Sequence, residues 1–239
     1  MTNSTLNWTT LLGRCYVPYS RKPSACIVQG ESGRYYTGLR IENLSFPLTM
    51  TEDQVAICFC LSEEDKPVRL ILRPGDDADR SYWITRFNLT VDYLEQIDDL
   101  VCYSNLHSTD KVSFEAALRS LTKKAVTPNS NFNVSALLET SAGYVEGVNI
   151  EFENWQKGIC AERMALAKAY CLGLGSFGSL HVHADAGDLI SPCGACRQVL
   201  IEHLPHNPVH LYHHSGSKST YFTDHLLPFH MKMDSLTRK

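Results

Sequence analysis

Val134-Ser135-Ala136-Leu137-Leu138, a turn at Gly143, Tyr144-Val145-Glu146-Gly147 and Asn149-Ile150-Glu151 form the stretch from which the fold is read. Two short apolar runs around a glycine turn predict two strands. Nine residues beyond Glu151, Cys160-Ala161-Glu162-Arg163 opens a helix-like stretch, and Leu180-His181-Val182-His183-Ala184 follows as a third strand. About 110 residues earlier the chain holds a faint copy of this order. Pro18-Tyr19-Ser20 corresponds to Pro128-Asn129-Ser130, Ala25-Cys26-Ile27-Val28 to the first strand, Gly33 to the turn, and Tyr35-Tyr36-Thr37-Gly38 to the second strand. Arg40-Ile41-Glu42 then matches Asn149-Ile150-Glu151, and Thr51-Glu52-Asp53-Gln54 matches the start of the helix. Val68-Arg69-Leu70-Ile71-Leu72 closes the copy as its third strand. Ordered agreement over this length predicts an internal duplication.

Each half reads strand, strand, helix, strand, helix, with further strands over Pro208 to Tyr212 and Ser219 to Phe222 in the second. That alternation predicts an α/β fold with helices covering a mixed sheet. The expected division is 1–112 and 113–239, with the polar stretch from Ser104 to Ser113 as the connection.

Composition narrows the function classes. Lys plus Arg is 22 against 26 Asp plus Glu, a net charge of −4, so nothing points to a long polyanion as partner. No apolar run approaches the roughly 18 residues of a membrane span, and Met1-Thr2-Asn3-Ser4 leads into no signal-peptide core. The expected location is the cytoplasm, without nucleic acid or membrane partners.

Nine cysteines in such a chain do not read as a disulfide framework. Cys15, Cys26, Cys58, Cys60, Cys102 and Cys171 read as small core residues. Cys160, Cys193 and Cys196 stand at two predicted helix starts, where free N–H groups favour thiolates. Taken alone, Cys193-Gly194-Ala195-Cys196 fits a redox pair as well as a metal pair. A four-ligand structural zinc site needs one more Cys or His, and nine of the ten histidines follow residue 180. None of them shows a zinc-finger spacing, and most are expected in loops and on the surface. Three thiolates with an open fourth position form a catalytic arrangement. Glu162, two residues past a ligand, is placed to relay protons without coordinating. Zinc with three thiolates carries a formal charge of about −1, which weakens its power to acidify water. Arg163 and Arg197 are expected to offset that charge by hydrogen bonds to the sulfurs.

Cys160-Ala161-Glu162-Arg163 together with Pro192-Cys193-Gly194-Ala195-Cys196-Arg197-Gln198 resembles the zinc-dependent cytidine deaminases that act on free nucleosides. The resemblance covers most of residues 125–228 and extends faintly over 16–57. It implies a three-layer α/β/α sandwich, repeated in tandem, and one Zn²⁺ per chain on Cys160, Cys193 and Cys196. It implies Glu162 as proton shuttle, Asn149 and Glu151 at the ribose hydroxyls, Phe132 near the pyrimidine, and the Ala161 backbone at the base. The implied activity is hydrolytic deamination of cytidine and deoxycytidine in pyrimidine salvage. The alternative is a related zinc deaminase acting on another nucleoside, a nucleotide or a nucleoside antibiotic. Met231 stands where the family has a C-terminal Phe, and Ser135 where it has Gly.

The first half lacks this equipment. Thr51 stands at the place of Cys160, Asp53 at that of Glu162, Arg40 at that of Asn149 and Lys22 at that of Phe132. Counting back 109 from Cys193 and Cys196 gives Ile84 and Phe87, which cannot bind zinc. Thr51-Glu52-Asp53-Gln54 reads instead as a capping box. The family's assemblies are tetramers of single domains or dimers of tandem domains, which implies a homodimer of this chain imitating four domains.

Overall fold

The computed structural model describes residues 6–107 and 113–231, so the expected boundary at 112/113 falls against residues outside the described ones, as do Met1 to Ser4. The elements run α1 (Trp8–Gly13), β1 (Ala25–Gly30), β2 (Tyr35–Leu39), α2 (Glu52–Ser62), β3 (Pro67–Leu72), α3 (Ser81–Phe87) and β4 (Thr90–Tyr93). They continue with α4 (Phe114–Leu121), β5 (Val134–Thr140), β6 (Gly143–Val148), α5 (Ala161–Cys171), β7 (Phe177–Ala184), α6 (Gly194–His203), β8 (Pro208–Tyr212), β9 (Lys218–Phe222) and α7 (Thr223–Leu226). Single 3-10 turns at Phe46–Leu48 and Trp155–Lys157 precede α2 and α5.

Two mixed sheets result, ordered β2-β1-β3-β4 and β6-β5-β7-β8-β9. In each, the first two strands pair antiparallel, the third joins antiparallel on the far side, and the next lies parallel to it. Only the second sheet has a fifth, antiparallel strand. The expected α/β class with mixed sheets is what the chain forms.

Small details recur between the sheets. Ile41 bridges Tyr16 and Met50, as Ile150 bridges Val126 and Ile159. At Gly38 an added Cβ would meet the Glu52 carbonyl and Ala56 of α2, and at Gly147 it would meet the Ala161 carbonyl and Ala165 of α5. Both glycines are there because a helix backbone lies directly on the strand.

In the second half, alternation puts Ala136, Gly147 and Val182 on the face toward α5, and Ser135, Leu137, Glu146 and His181 on the other. Phe114 of α4 stacks on His181 at 3.8 Å, and Ser135 Oγ donates to the Leu118 carbonyl. This sheet is therefore sandwiched, with α4 on one side and α5 on the other.

The segment after β4 runs along one edge of each sheet, at β2 and at β6. Tyr103 N–H donates to the Tyr35 carbonyl beside β2, and His107 exchanges two backbone bonds with Tyr144 of β6. Covered edges cannot recruit foreign strands. The halves also share buried polar contacts across α2 and α5. Lys168 Nζ lies 2.5 Å from Glu63 Oε1, and Cys171 Sγ donates to the Thr37 carbonyl.

The capping box is not formed. Thr51 is the N-cap of α2 but its side chain makes no cap bond. Gln54 reaches across to the other half, where its Nε2 donates to the carbonyls of Gln156, Lys157 and Gly158. A carboxamide beside three free carbonyls of a 3-10 turn finds more acceptors there than at its own helix start.

Candidate active site

Cys160 is the N-cap of α5 and Cys193 the N-cap of α6, both with extended backbone, and Cys196 lies in the first turn of α6. The two helices arrive from different points of the chain with their N–H-rich ends together. The three Sγ atoms lie within 4.8 Å of one another, and no further His, Cys, Asp or Glu joins them among the described residues. Cys160 and Cys193 Sγ are 3.8 Å apart. Zinc–sulfur bonds of about 2.3 Å in a tetrahedron set sulfurs about 3.8 Å apart, so the donor set fits zinc with one position open.

Its electrostatics also call for a cation. Hydrogen bonds from the Cys160 and Cys196 thiols hold Cys193 well below the ordinary thiol range. The same sharing pushes Cys160 and Cys196 above it. Three thiols this close cannot all ionise against one another, and a divalent ion is what lets them.

Glu162, one residue into α5, is 4% exposed. Burial pushes its carboxyl up to about 7; the charge of Cys193 adds to the rise, while Cys196 and Arg163 oppose it. It is not part of the sulfur cluster. A cavity of about 290 Å³ opens over Cys160, Cys193 and Glu162. Phe132, Val134 and Asn149 form one wall, and Leu189, Ile190 and Ser191 another.

The structure thus brings Cys160, Cys193, Cys196, Glu162, Ala161, Phe132 and Asn149 to one place. Glu151 stands behind it. Its carboxylate accepts the N–H groups of Asn129 and Ser130 and the Ser130 hydroxyl, holding the loop that carries Phe132. Asn149 braces the same loop, accepting from Val134 N–H and donating to the Phe132 carbonyl.

The two arginines differ from expectation. Arg163 Nη2 donates to the Leu48 carbonyl of the first half, and Arg197 donates to the Pro192 carbonyl and Ser191 Oγ. Neither donates to a sulfur, because backbone carbonyls of adjacent turns lie within their reach. Most of the histidines are expected in loops and on the surface, whereas His181, His183 and His213 are at most 5% exposed. Sequence reasoning also passed over His213, which accepts the Ile190 N–H and so touches the cavity wall. A lone His-His pair after a strand carries no signal of that contact.

In the first half, helix starts rather than residue count give the correspondence. Arg80 is the N-cap of α3, as Cys193 is of α6, and Trp83 then matches Cys196. The expected Ile84 and Phe87 are displaced because β3 is shorter than β7 and the connections on either side of it are shorter too. Arg80 Nη2 lies 2.7 Å from Glu52 Oε1 in the first turn of α2, and its Nη1 lies 2.6 Å from Asp76 Oδ1. The guanidinium is 2% exposed. One cation between two carboxylates joins the two helix ends that three thiols join in the second half.

A water-activating zinc enzyme is the class that such a cavity, sulfur cluster and buried carboxyl define. Residues 108–209 match the family described as the cytidine and deoxycytidylate deaminase zinc-binding region. The chain is 40% identical to a cytidine deaminase of Sporosarcina psychrophila over 108 residues, 44% of this chain and 79% of that protein. It is 39% identical to one from Halalkalibacterium halodurans, over 44% of this chain and 80% of the relative. The solved cytidine deaminase of Burkholderia pseudomallei is 36% identical over 48% of this chain and 94% of its own, with a TM-score of 0.46. The chain belongs to the cytidine deaminase family, and the zinc-binding region lies in its second half. Among the described residues no helix is long and apolar enough to cross a membrane.

Proposed function

We propose that the second half hydrolyses cytidine and deoxycytidine to uridine and deoxyuridine with release of ammonia, a pyrimidine salvage reaction. The observation that carries this is Glu162, a carboxyl only 4% exposed beside three clustered thiols at the base of a small cavity. Zinc on Cys160, Cys193 and Cys196, when bound, supplies the Lewis acidity that makes water nucleophilic near neutral pH. Glu162 takes the proton of the attacking water on its carboxylate and delivers it to N3 of the pyrimidine, leaving C4 electrophilic. It then takes the proton of the new C4 hydroxyl and hands it to the amine, which leaves as ammonia while C4 becomes a carbonyl. A group with its pKa near the working pH serves as base and acid in turn. The Ala161 backbone faces the base and Phe132 flanks the ring. Asn149, in the cavity wall, and Glu151, beside it, meet the ribose next to the loop that both brace.

The two halves, 1–112 and 113–239, are in this reading tandem copies, with the first no longer catalytic. Matching strand order, matching bridges and the paired glycines support it. The assembly is a homodimer, with Phe46 and Trp155, equivalent and 83% and 67% exposed, on surfaces free for a second copy. Nine unpaired cysteines suit a reducing cytoplasm. A net charge of −4 suits a small nucleoside better than nucleic acid.

The test is the fall in ultraviolet absorbance when zinc-loaded protein meets cytidine or deoxycytidine, with Glu162→Gln as control. Turnover that the variant loses is expected. A wild-type protein with one zinc that leaves both nucleosides unchanged would remove the substrate assignment, and turnover of a nucleotide or nucleoside antibiotic in their place would replace it. Light scattering tests the assembly, and an active monomer of 26.8 kDa would end the dimer reading.

A further inference from the structure

Between the end of β7 at Ala184 and the N-cap Cys193, eight residues cross the mouth of the cavity. Leu189, Ile190 and Ser191 among them form one of its walls. The segment is tied at both ends. Asp185 N–H donates to the Asn133 carbonyl, beside Phe132, and Arg197 takes hold of Ser191 and Pro192. Among the described residues, only one hydrogen bond reaches residues 186–190: Ile190 N–H donates to His213 Nδ1 at 3.1 Å. His213 is 2% exposed and Ile190 6%.

A backbone N–H only donates, so Nδ1 must carry a free lone pair and the proton must sit on Nε2. Nε2 lies 2.9 Å from Ser219 Oγ, which accepts it. The turn that carries the ring is closed by His213 N–H on the Ser217 carbonyl and Gly216 N–H on the His213 carbonyl. Gly216 adopts φ +87°, the left-handed region in which glycine is unstrained. The whole device stands on β8 and β9. The first sheet, which ends at β4, has no such turn, and there Arg80 and Asp76 secure the corresponding segment.

We infer that His213 is a positioning residue for the deamination site: its neutral imidazole, oriented by Ser219, fixes the Leu189–Ser191 wall against which the nucleoside binds. This rests on the deaminase reading of the cavity. The ring is not among the residues lining the cavity; its partners are Ile190 N–H and Ser219 Oγ. Its effect is on substrate affinity, since a loosened wall must be ordered again at each binding event.

The test compares His213→Leu, which has no acceptor, with His213→Asn, whose Oδ1 stands near the place of Nδ1. Zinc content, kcat and KM for cytidine are measured on each. His213→Leu is expected to keep one zinc per chain and raise KM about tenfold, the scale of one buried donor left unpaired. His213→Asn is expected to recover most of that loss. A purely structural role would lower the melting temperature and leave KM unchanged. A normal KM in zinc-loaded His213→Leu, or an Asn variant no better than Leu, overturns the proposal. Should His213→Leu not fold, amide hydrogen exchange at Ile190 decides, with slow exchange in wild type and in His213→Asn expected and fast exchange in wild type fatal. Exchange is read without turnover, so a wild-type protein inactive on cytidine would remove the deaminase reading and still judge the His213 contact.

Discussion

Glu42 and Glu151 do the same work in the two halves of the chain. Glu42 accepts the N–H groups of Tyr19 and Ser20, and Glu151 those of Asn129 and Ser130. The loop clamp is common to both halves, whereas the thiol cluster is found only in the second. A few ångströms away the halves part. Cys160 and Cys193 bring the ends of α5 and α6 together around a metal-shaped space, while Glu52 and Arg80 tie α2 to α3 by an ion pair. The formal charge is the same: +2 with three thiolates, or +1 with two carboxylates, leaves about −1 in each case. What differs is vacancy. A metal with three protein ligands keeps an open position, whereas a guanidinium held by carboxylates on two sides keeps none. The comparison teaches that the same pair of helix ends is joined by an ion pair in one half and by a metal-binding thiol set in the other, and that only the second leaves a coordination position free.

The strongest way to break that contrast is to move the carboxyl rather than the metal. Glu162→Gln is expected to keep zinc and lose turnover by ~10²- to 10⁴-fold, while Asp53→Asn at the matching place leaves the rate unchanged. Steady-state kinetics with metal analysis checks both, and equal losses would erase the asymmetry. Next comes the substitute cation. Arg80→Met strands two carboxylates, Glu52 at 7% side-chain exposure and Asp76 at 15%. A loss of about 3 kcal/mol by denaturant titration is expected, with zinc still at one per chain. Loss of zinc from this variant would show that the halves are not independent in their metal chemistry.

Acid sharpens the comparison at the seam between the halves. Burial raises the Glu146 carboxyl, but hydrogen bonding from His107, the charge of Lys168 and the bond from Lys124 overcome it and bring it down to about 2. A carboxyl depressed in the folded state stabilises it fully above its unfolded pKa of about 4.3. That contribution is lost as pH falls from about 4.3 toward 2. Melting temperature should therefore drop more steeply across that window in wild type than in Glu146→Gln. The smallest effect is expected at Thr51→Ala. With no side-chain cap bond to lose, it should shift stability by less than about 0.5 kcal/mol by thermal melting, and a larger loss would restore the capping-box reading.

The zinc cluster was readable because its signals are local. Cys160-x-Glu162 and Cys193-x-x-Cys196 state their own spacing, and each sits where a helix start is predicted. The strands were readable for a similar reason, since short apolar runs bounded by Gly33 or Gly143 have few other uses. Long polar side chains were not readable. Gln54, Arg163 and Arg197 each chose partners by which carbonyl lay within reach after folding, and those carbonyls are remote in sequence or belong to another turn. Arg80 was hidden by loop length. A fixed offset cannot follow connections that differ by a few residues, so the true counterpart of Cys193 emerges only from the helix ends.

The sequence by itself determined the three-cysteine group, the carboxyl beside it, the strand and helix order and the family, because these depend on residue type and short spacing. Tertiary structure alone decided that Glu151 holds a loop, that Arg80 takes the place of a metal, and that His213 supports the cavity wall. Each of those depends on which partner comes within about 3 Å once two distant segments pack, and hydrogen bonds and ion pairs fall away steeply beyond that reach.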